Sequence, residues 1–475
     1  MRDDTVGVRP ATFVLACLAL VAALLLGGSG GSFGDAIVQL LALQLIVLAA
    51  MEWMRNEMHG PDRLALAVMC GIVALAVVQL VPMPIAWWAT LSGRAELLGQ
   101  MRSAGVAPAW APLSLDPGAT ERALSWTLPA IALFLAVRWT SRRQRMILLA
   151  LLFAGALGLL MLGVTFHSVT GKDAIAAAGV ALAQPRFDLG LLGGDPGQGL
   201  ALADLFTNRN HFATLLAMTI PLVVAVGLSL WIERRRIGSK AWIPWAVMLA
   251  LVVLGLLVGM LETRSRAALV LGGLSLLGSM ALLWQMRLSR VLVACLASGS
   301  LVVAVLALWF SASDTLRRFD HSPATDMRWQ IHATTLQAAH RFGPMGSGLG
   351  TFVEAYEAAA QESDDGPEYI NRAHGDYHEL WLETGVPGVA LMALFASWFA
   401  WSAWRAWKRE GQPLGAALVP RAATVSILLV LMHSYLDYPL RKTAILAVFG
   451  LVCALLSFAS SGDVEKPGAA ERAIP

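Results

Sequence analysis

The sequence has little charge and little cysteine for its length. Of its 475 residues, 14% are charged and 57% are hydrophobic, whereas soluble proteins carry about a quarter charged residues. The four cysteines (Cys17, Cys70, Cys295 and Cys453) each fall inside an apolar block. They are therefore expected to be small apolar residues, not disulfide partners or metal ligands. No CxxC pair, Walker A loop or HExxH motif is present, so the chain lacks those signatures of redox, nucleotide and zinc chemistry.

The hydrophobic residues come in blocks of about 18–22, a length that spans the roughly 30 Å hydrocarbon core of a bilayer as helix. We predict an all-α, polytopic integral membrane protein with about 12 transmembrane helices. The spans are predicted near 11–28, 35–53, 64–82, 123–139, 146–165, 211–231, 242–261, 267–285, 290–310, 386–404, 421–436 and 442–460. The first block could instead be a signal peptide, but no clear A-x-A cleavage site follows it.

Positive charge is concentrated in alternate connections, after the predicted fourth, sixth, eighth and tenth spans. The positive-inside rule makes that side cytoplasmic, together with both termini. Three long loops, 83–122, 166–208 and 311–385, then lie on the opposite side, which in a bacterium is periplasmic or extracellular.

The predicted organisation has four parts. They are a bundle of spans 1–9 over 1–310, a large helical periplasmic loop over 311–385 between spans 9 and 10, spans 10–12 over 386–460, and a short cytoplasmic tail over 461–475.

The largest loop has its own local pattern. We predict a helix over 325–340, a glycine-rich turn over 343–350, and a second helix over 376–384 that ends at Gly385. The turn carries a Gly-x-Gly-x-Gly run similar to part of a nucleotide-binding loop. No predicted strand precedes it, so a tight turn that brings two loop helices together is favoured.

His374 opens the most polar stretch of the chain, just before a hydrophobic span. An imidazole can take up a proton near neutral pH, so His374 is a candidate general base for a sugar hydroxyl. Asp376, Glu379 or Glu383 would orient it, and His378, four residues on, is predicted to share its helix face. Two alternatives are a surface histidine on a solvated helix and a zinc site made by His374, His378 and Asp376, although the HExxH pattern is missing.

Cationic and amide side chains are predicted at two other outer helix ends. Arg264 and Arg266 lie in the short turn after the seventh span, and Asn208, Arg209 and Asn210 precede the sixth. A guanidinium suits phosphate because its planar fork donates two parallel hydrogen bonds and keeps its charge. The alternatives are arginines that contact lipid headgroups and asparagine that caps a helix.

Together these stretches resemble the O-antigen ligase and polymerase superfamily of bacterial envelope glycosyltransferases. His374 is followed by Gly385 and Gly388 at the spacing of the family's histidine motif, with Gly375 where the family has Asn, Ser or Gln. Four further stretches are similar to family segments in the same order: 207–213, 265–268, 341–352 and 433–440, the last containing Asp437.

The resemblance implies transfer of a glycan from undecaprenyl diphosphate, at the bilayer, to a hydroxyl of an acceptor glycan or of lipid A-core. The reaction would be inverting, with no metal and no cofactor, and no nucleic acid partner is expected. The implied roles are catalysis by His374 and Arg266, diphosphate binding by Arg266, Arg264 and Arg209, and support from Asn208, Asn210, Asp376, Glu379 and Asp437.

The ligase reaction is the first hypothesis, and a repeat-unit polymerase of the same superfamily is the alternative. A polytopic transporter and a noncatalytic subunit that binds lipid-linked glycan are the hypotheses from other classes. A transporter should show ionisable or broken-helix features at mid-bilayer, whereas here the polar residues crowd the outer helix ends.

Overall fold

The computed structural model describes residues 9–28, 33–54, 60–170, 206, 208–237, 242–263, 265–284, 327–360, 370–408 and 414–458. Arg264, the predicted ninth span over 290–310, the first part of the large loop and the tail over 461–475 lie outside these residues.

Most of the described chain is helical. The helices are α1 (Pro10–Leu26), α2 (Phe33–Trp53), α3 (Gly60–Leu80), α4 (Ile85–Trp88), α5 (Arg94–Ser103), α6 (Pro117–Val137), α7 (Arg142–Thr170), α8 (Arg209–Ile237), α9 (Trp242–Glu262), α10 (Arg266–Trp284), α11 (Met327–Phe342), α12 (Phe352–Glu357), α13 (Asp376–Lys408), α14 (Leu414–His433) and α15 (Thr443–Ser457). A short 3₁₀ helix, Pro439–Arg441, precedes α15.

Seven of these helices are long and apolar enough to cross a membrane: α2, α3, α7, α8, α9, α13 and α14. Three more, α1, α10 and α15, contain shorter apolar stretches. Helix α6, where the fourth span is predicted, has 21 residues with Pro129 inside it and belongs to neither group. The chain is a polytopic helical membrane protein, as predicted.

Helices α8 and α14 form the centre of the bundle and pack against each other, while α9 and α10 also pack on α8. Both central helices are apolar around most of their circumference, as expected for buried helices. Hydroxyl groups join neighbours across the core: Ser426 of α14 donates to the carbonyl of Met218 (2.6 Å) and Ser275 of α10 to that of Ala217 (2.8 Å). Such short interhelical bonds satisfy polar groups where no water is present.

The predicted loop 83–122 is structured. Strand β1 (Pro82–Pro84) pairs antiparallel with β2 (Trp110–Pro112), with Met83 opposite Ala111. The buried Arg94 at the start of α5 donates to the carbonyls of Leu113 (2.5 Å) and Gly346 (3.0 Å). This strand pair adds to the predicted helical fold, and Arg94 ties it to the glycine turn of the large loop.

The described part of the large loop has a small core of its own, separate from that of the bundle. Helix α11 begins and ends two residues later than predicted, and it packs on α12 and the start of α13. The buried members of this core are Ile331, Ala338, Ala339, Phe342, Phe352, Ala355, Tyr356, Ala359, Ala373 and Leu382. The polar segment that contains His374 therefore rests on a packed support.

Helix α13 is broken at Gly385, where the predicted short helix ends. Gly385 has φ 54° and ψ −144°, and a Cβ there would lie 2.0 Å from the carbonyl oxygen of Pro344. Only glycine adopts this conformation without strain. A second helical segment begins at once and runs to Lys408, where the span over 386–404 is predicted; Pro387 lies in its first turn, where proline is tolerated.

The glycine turn satisfies the carbonyl groups that this break leaves free. The N–H groups of Ser347 and Gly348 donate to the carbonyls of Leu382 (3.0 Å) and Glu383 (2.9 Å). The side-chain amide of Gln79 also donates to the Glu383 carbonyl, at 3.0 Å. The turn thus caps the first segment of α13 and brings the loop helices together, as predicted.

Candidate functional site

The carboxylate of Asp437 is the centre of a polar cluster at one end of the bundle. It lies in the turn after α14 and is 1% exposed. It accepts hydrogen bonds from the Nδ2 of Asn210 (2.8 Å), the Nε2 of His211 (3.3 Å) and the N–H of Tyr438 (3.0 Å). Burial by itself would raise the pKa of Asp437, but the hydrogen bonds from His211 and Asn210 hold it well below its usual range. Asp437 is therefore a buried negative charge.

His374 lies beside this carboxylate. Its Nδ1 is 3.9 Å from the Oδ1 of Asp437, within range of an ion pair but too long for a hydrogen bond, and its side chain is 30% exposed. The backbone of His374 has φ +50°, a conformation that non-glycine residues rarely adopt. The ring of His332 on α11 donates through Nε2 to the His374 carbonyl at 3.2 Å. The protein thus holds the Nδ1 edge of a partly exposed imidazole near a fixed anion.

The prediction that His374 and His378 share a helix face is wrong. Helix α13 begins at Asp376, so His374 precedes it in the strained turn. The ring of His378 instead stacks on that of His332, with centroids 4.1 Å apart. A helical face requires helical backbone at both positions, which His374 lacks.

Ser265 connects a further segment to the cluster. Its hydroxyl donates to the Oδ1 of Asn210 at 2.6 Å, and Asn210 in turn donates to Asp437. Helix α10 begins at Arg266, the next residue. Segments at 208–211, 265–266, 374 and 437 therefore meet at one end of the bundle, although they are far apart in the sequence.

Asn208 and Arg209 occupy the beginning of α8. The Oδ1 of Asn208 accepts a hydrogen bond from the N–H of Asn210 at 2.8 Å, the contact of an N-cap residue. Arg209 is the first residue of α8 and is exposed. Asn208 therefore caps the helix, which was the alternative interpretation of this segment, whereas the side chain of Asn210 faces Asp437.

Asp376, Glu379 and Glu383 do not orient the imidazole of His374 as predicted. They surround Arg441, which lies 2.7 Å from Glu383, 3.6 Å from Glu379 and 3.9 Å from Asp376. Burial alone would lower the pKa of Arg441, but the three carboxylates raise it above its usual value. A nearby cation favours the charged form of a buried carboxylate, and these three side chains face Arg441 and not the imidazole of His374.

Two of these carboxylates fix the backbone on each side of His374. Asp376 accepts hydrogen bonds from the hydroxyl of Ser434 (2.8 Å) and the N–H of Leu440 (3.2 Å). Glu379 accepts from the guanidinium of Arg372 (2.7 Å) and the N–H of Ala373 (3.2 Å). The turn that carries His374 is thereby attached to the segment that carries Asp437.

Gly375 has little space for a side chain. A Cβ on Gly375 would lie 2.7 Å from the Nδ1 of His378 and 3.4 Å from the Nε2 of His332. The stacked histidine pair fills the space that a larger side chain would need. A residue such as Asn, Ser or Gln at this position would collide with it unless His378 moved.

Sequence reasoning missed His332 and Arg441. His332 carries no signal in the sequence, because its contact with His374 joins residues 42 positions apart. Arg441 had a signal: it directly follows the segment 433–440 and stands immediately before an apolar block. A cation at such a helix end often has an anionic partner inside the protein.

The geometry leaves little support for the zinc alternative. Among the residues that the structure describes, no group of three His, Cys, Asp or Glu side chains is arranged to hold a metal ion. His378 and Asp376 have separate neighbours: one stacks on His332 and the other accepts from Ser434 and Leu440.

The fold and this cluster define a polytopic membrane protein with a polar site at one end of its helical bundle. Residues 251–393 match the family model described as O-Antigen ligase. The chain therefore carries an O-antigen ligase family domain, which contains Ser265, Arg266 and His374. Asn210 and Asp437, which join these residues, lie outside the matched range. A comparison with curated proteins gave no match.

Proposed function

We propose that this protein is a membrane glycosyltransferase that moves a glycan from undecaprenyl diphosphate to an acceptor hydroxyl at the periplasmic face of the bacterial inner membrane. The O-antigen ligase family domain supports this class of reaction. The observation that carries the proposal is the position of His374 beside the buried carboxylate of Asp437, in a cluster that also contains Ser265 and Asn210.

In this reaction the acceptor oxygen attacks the anomeric carbon as the bond from that carbon to the diphosphate breaks, with inversion. His374 accepts the proton of the acceptor hydroxyl. The charge of Asp437, 3.9 Å away, stabilises the imidazolium that forms. Diphosphate is a good leaving group, so it needs compensating positive charge more than a general acid. Arg266, Arg264 and Arg209 are the proposed sources of that charge.

The membrane arrangement that we propose has twelve spans, with the large loop between spans 9 and 10 and the site facing the periplasm. The arginine-rich end of α7 supports this, because Arg142 contacts Glu233 near the end of α8. The beginning of α8, with Asn208, therefore lies at the opposite end of the bundle, which is the end of the candidate site.

The test is replacement of His374 by Gln, which keeps the size and polarity of the side chain but cannot act as a base. We expect glycan transfer to be lost while the abundance of the protein in the membrane stays normal. His340 is a suitable control, because it is an exposed histidine in the last turn of α11; His340→Gln should transfer glycan normally. Unchanged transfer by His374→Gln would reject the catalytic role.

Deletion of the gene distinguishes the two reactions. Long glycan chains that accumulate on undecaprenyl diphosphate would indicate a ligase, which is our proposal. Single repeat units on the same lipid would indicate a polymerase. An unchanged envelope polysaccharide, with normal lipid-linked intermediates, would contradict both.

A further inference from the structure

A pocket of about 280 Å³ has two residues that shortly precede His374, Asn371 and Arg372, in its lining. Three segments form it: the beginning of α6, the turn at 350–354 and the stretch before His374. Its lining residues are Ala119, Arg122, Trp126, Gly350, Phe352, Val353, Glu354, Asn371 and Arg372. Its volume is at the lower end of the roughly 300–1,000 Å³ that small-molecule sites occupy. This is enough for a small part of a larger substrate.

The lining combines an indole with hydrogen-bonding groups of both kinds. Trp126 supplies an aromatic surface, Asn371 an amide, Glu354 an acceptor and the two arginines donors. A sugar ring presents C–H groups on its faces, which pack on aromatic rings, and hydroxyl groups at its edge, which need donors and acceptors together.

The charges of the pocket argue against a phosphate or an anionic lipid headgroup. Arg372 is bound to the buried Glu379 at 2.7 Å, and Arg122 lies 3.4 Å from Asp116. Both guanidinium groups are therefore already paired, and Glu354 places a further carboxylate in the lining. A polyanion would meet little uncompensated positive charge here, whereas neutral hydroxyl groups would meet several partners.

The pocket lies close to the candidate site along the chain. Arg372 lines the pocket, its guanidinium lies 5.6 Å from the centroid of the Trp126 ring, and it is two residues before His374. Two residues of chain span at most about 7 Å, so the backbone of the pocket-lining Arg372 is held near the backbone of His374.

We propose that this pocket binds a sugar unit of the glycan substrate. This proposal rests on the proposed function, because the sugar unit is part of the glycan that the proposed reaction transfers or extends. The sugar belongs to the donor glycan or to the acceptor glycan, and both present the same ring chemistry.

The experiment measures binding to the full-length protein in lipid nanodiscs. One probe is the lipid-linked glycan extracted from cells that lack this gene, and its reference is bare undecaprenyl diphosphate. The other probe is the free oligosaccharide that mild acid releases from that lipid. The variants are Trp126→Ala and Trp126→Phe. Asn371→Ala is a second test at an exposed position, in case Trp126→Ala does not fold.

Wild-type protein should prefer the lipid-linked glycan to bare undecaprenyl diphosphate and should bind the free oligosaccharide. Trp126→Ala should weaken oligosaccharide binding about tenfold, Asn371→Ala less, and Trp126→Phe least, since it keeps an aromatic face. If Trp126→Ala loses the preference for lipid-linked glycan over bare undecaprenyl diphosphate, the pocket binds the donor glycan. If Trp126→Ala keeps that preference but loses binding of the free oligosaccharide, the pocket binds the acceptor glycan.

If Trp126→Ala and Asn371→Ala both bind the two probes as tightly as wild-type protein does, the proposal of a sugar subsite is wrong. His374→Gln should keep both binding properties while it loses transfer. A failure of the subsite is therefore distinct from a failure of the catalytic proposal, which shows as normal transfer by His374→Gln.

Discussion

Replacement of Asp437 by Asn tests whether a fixed negative charge supports the imidazole of His374. The substitution keeps the shape of the side chain and removes its charge. At 3.9 Å and an effective dielectric constant of about 20, a full ion pair is worth about 4 kcal/mol. The side chain of His374 is 30% exposed, so solvent screening reduces this to about 2 kcal/mol. We expect transfer to fall about 30-fold.

The same substitution weakens the hydrogen bonds that Asp437 accepts from Asn210 and His211. Each charge-assisted bond contributes about 1.5–3 kcal/mol, so the thermal unfolding temperature of Asp437→Asn should also fall. The assay is therefore the rate of glycan transfer per folded molecule, measured in membrane vesicles in which the abundance of the protein is quantified.

Glu233→Gln is the matched control. Glu233 pairs with Arg142, and it lies 23 residues after Asn210 on α8, or about 35 Å along the helix. Neutralising this carboxylate should leave transfer per folded molecule unchanged. Wild-type transfer by Asp437→Asn, at normal abundance, would refute the idea that the charge of Asp437 acts on His374.

Three further substitutions test the surroundings of the site. Ser265→Ala removes the 2.6 Å hydrogen bond to Asn210 and should cost about 1–2 kcal/mol, which would appear as a roughly tenfold loss of transfer. The control Ser279→Ala removes only a hydrogen bond within its own helix and should have no effect on transfer. Arg441→Gln leaves the buried Asp376 and Glu383 without a cation, and Glu379 with Arg372 alone. It should destabilise the protein by about 3–5 kcal/mol, seen as loss of membrane abundance; normal abundance would argue against the network. Gly375→Ala should reduce transfer, because its Cβ would collide with the side chain of His378. The double variant Gly375→Ala/His378→Ala should recover part of the lost transfer. Strictly additive effects of the two substitutions on transfer would exclude a contact between these positions.

The parts of the fold that depend on local sequence were predictable. Runs of apolar residues long enough to cross a bilayer indicated the helices, and the break at Gly385 followed from a glycine two residues before a proline. The helix at 327–342 was placed within two residues. The strand pair at Pro82–Pro84 was not predicted, because three-residue strands rich in proline carry no periodic signal.

The contacts of the site were less predictable than its residues. Asp437 was expected to have a supporting role, but neighbours from three segments, 210–211, 374 and 433, meet at its carboxylate. Asp376 and Glu379 were expected near His374 because they are close in sequence, yet their side chains are committed to Arg441 and to backbone groups. Proximity in sequence does not fix the direction of a side chain in a turn, and the positive φ of His374 places this residue outside the helical backbone of α13.

The path from Ser265 to His374 shows why the matched domain depends on the rest of the chain. Both residues lie within 251–393, but the contacts that connect them are the hydrogen bonds from Ser265 to Asn210 and from Asn210 to Asp437, followed by the 3.9 Å approach of Asp437 to His374. Helix α10, with Arg266 at its beginning, is thus linked to the imidazole through two residues outside the family match. In the proposed mechanism, a substitution at Asn210 or Asp437 changes the distance between the diphosphate and the base as directly as a substitution within the domain.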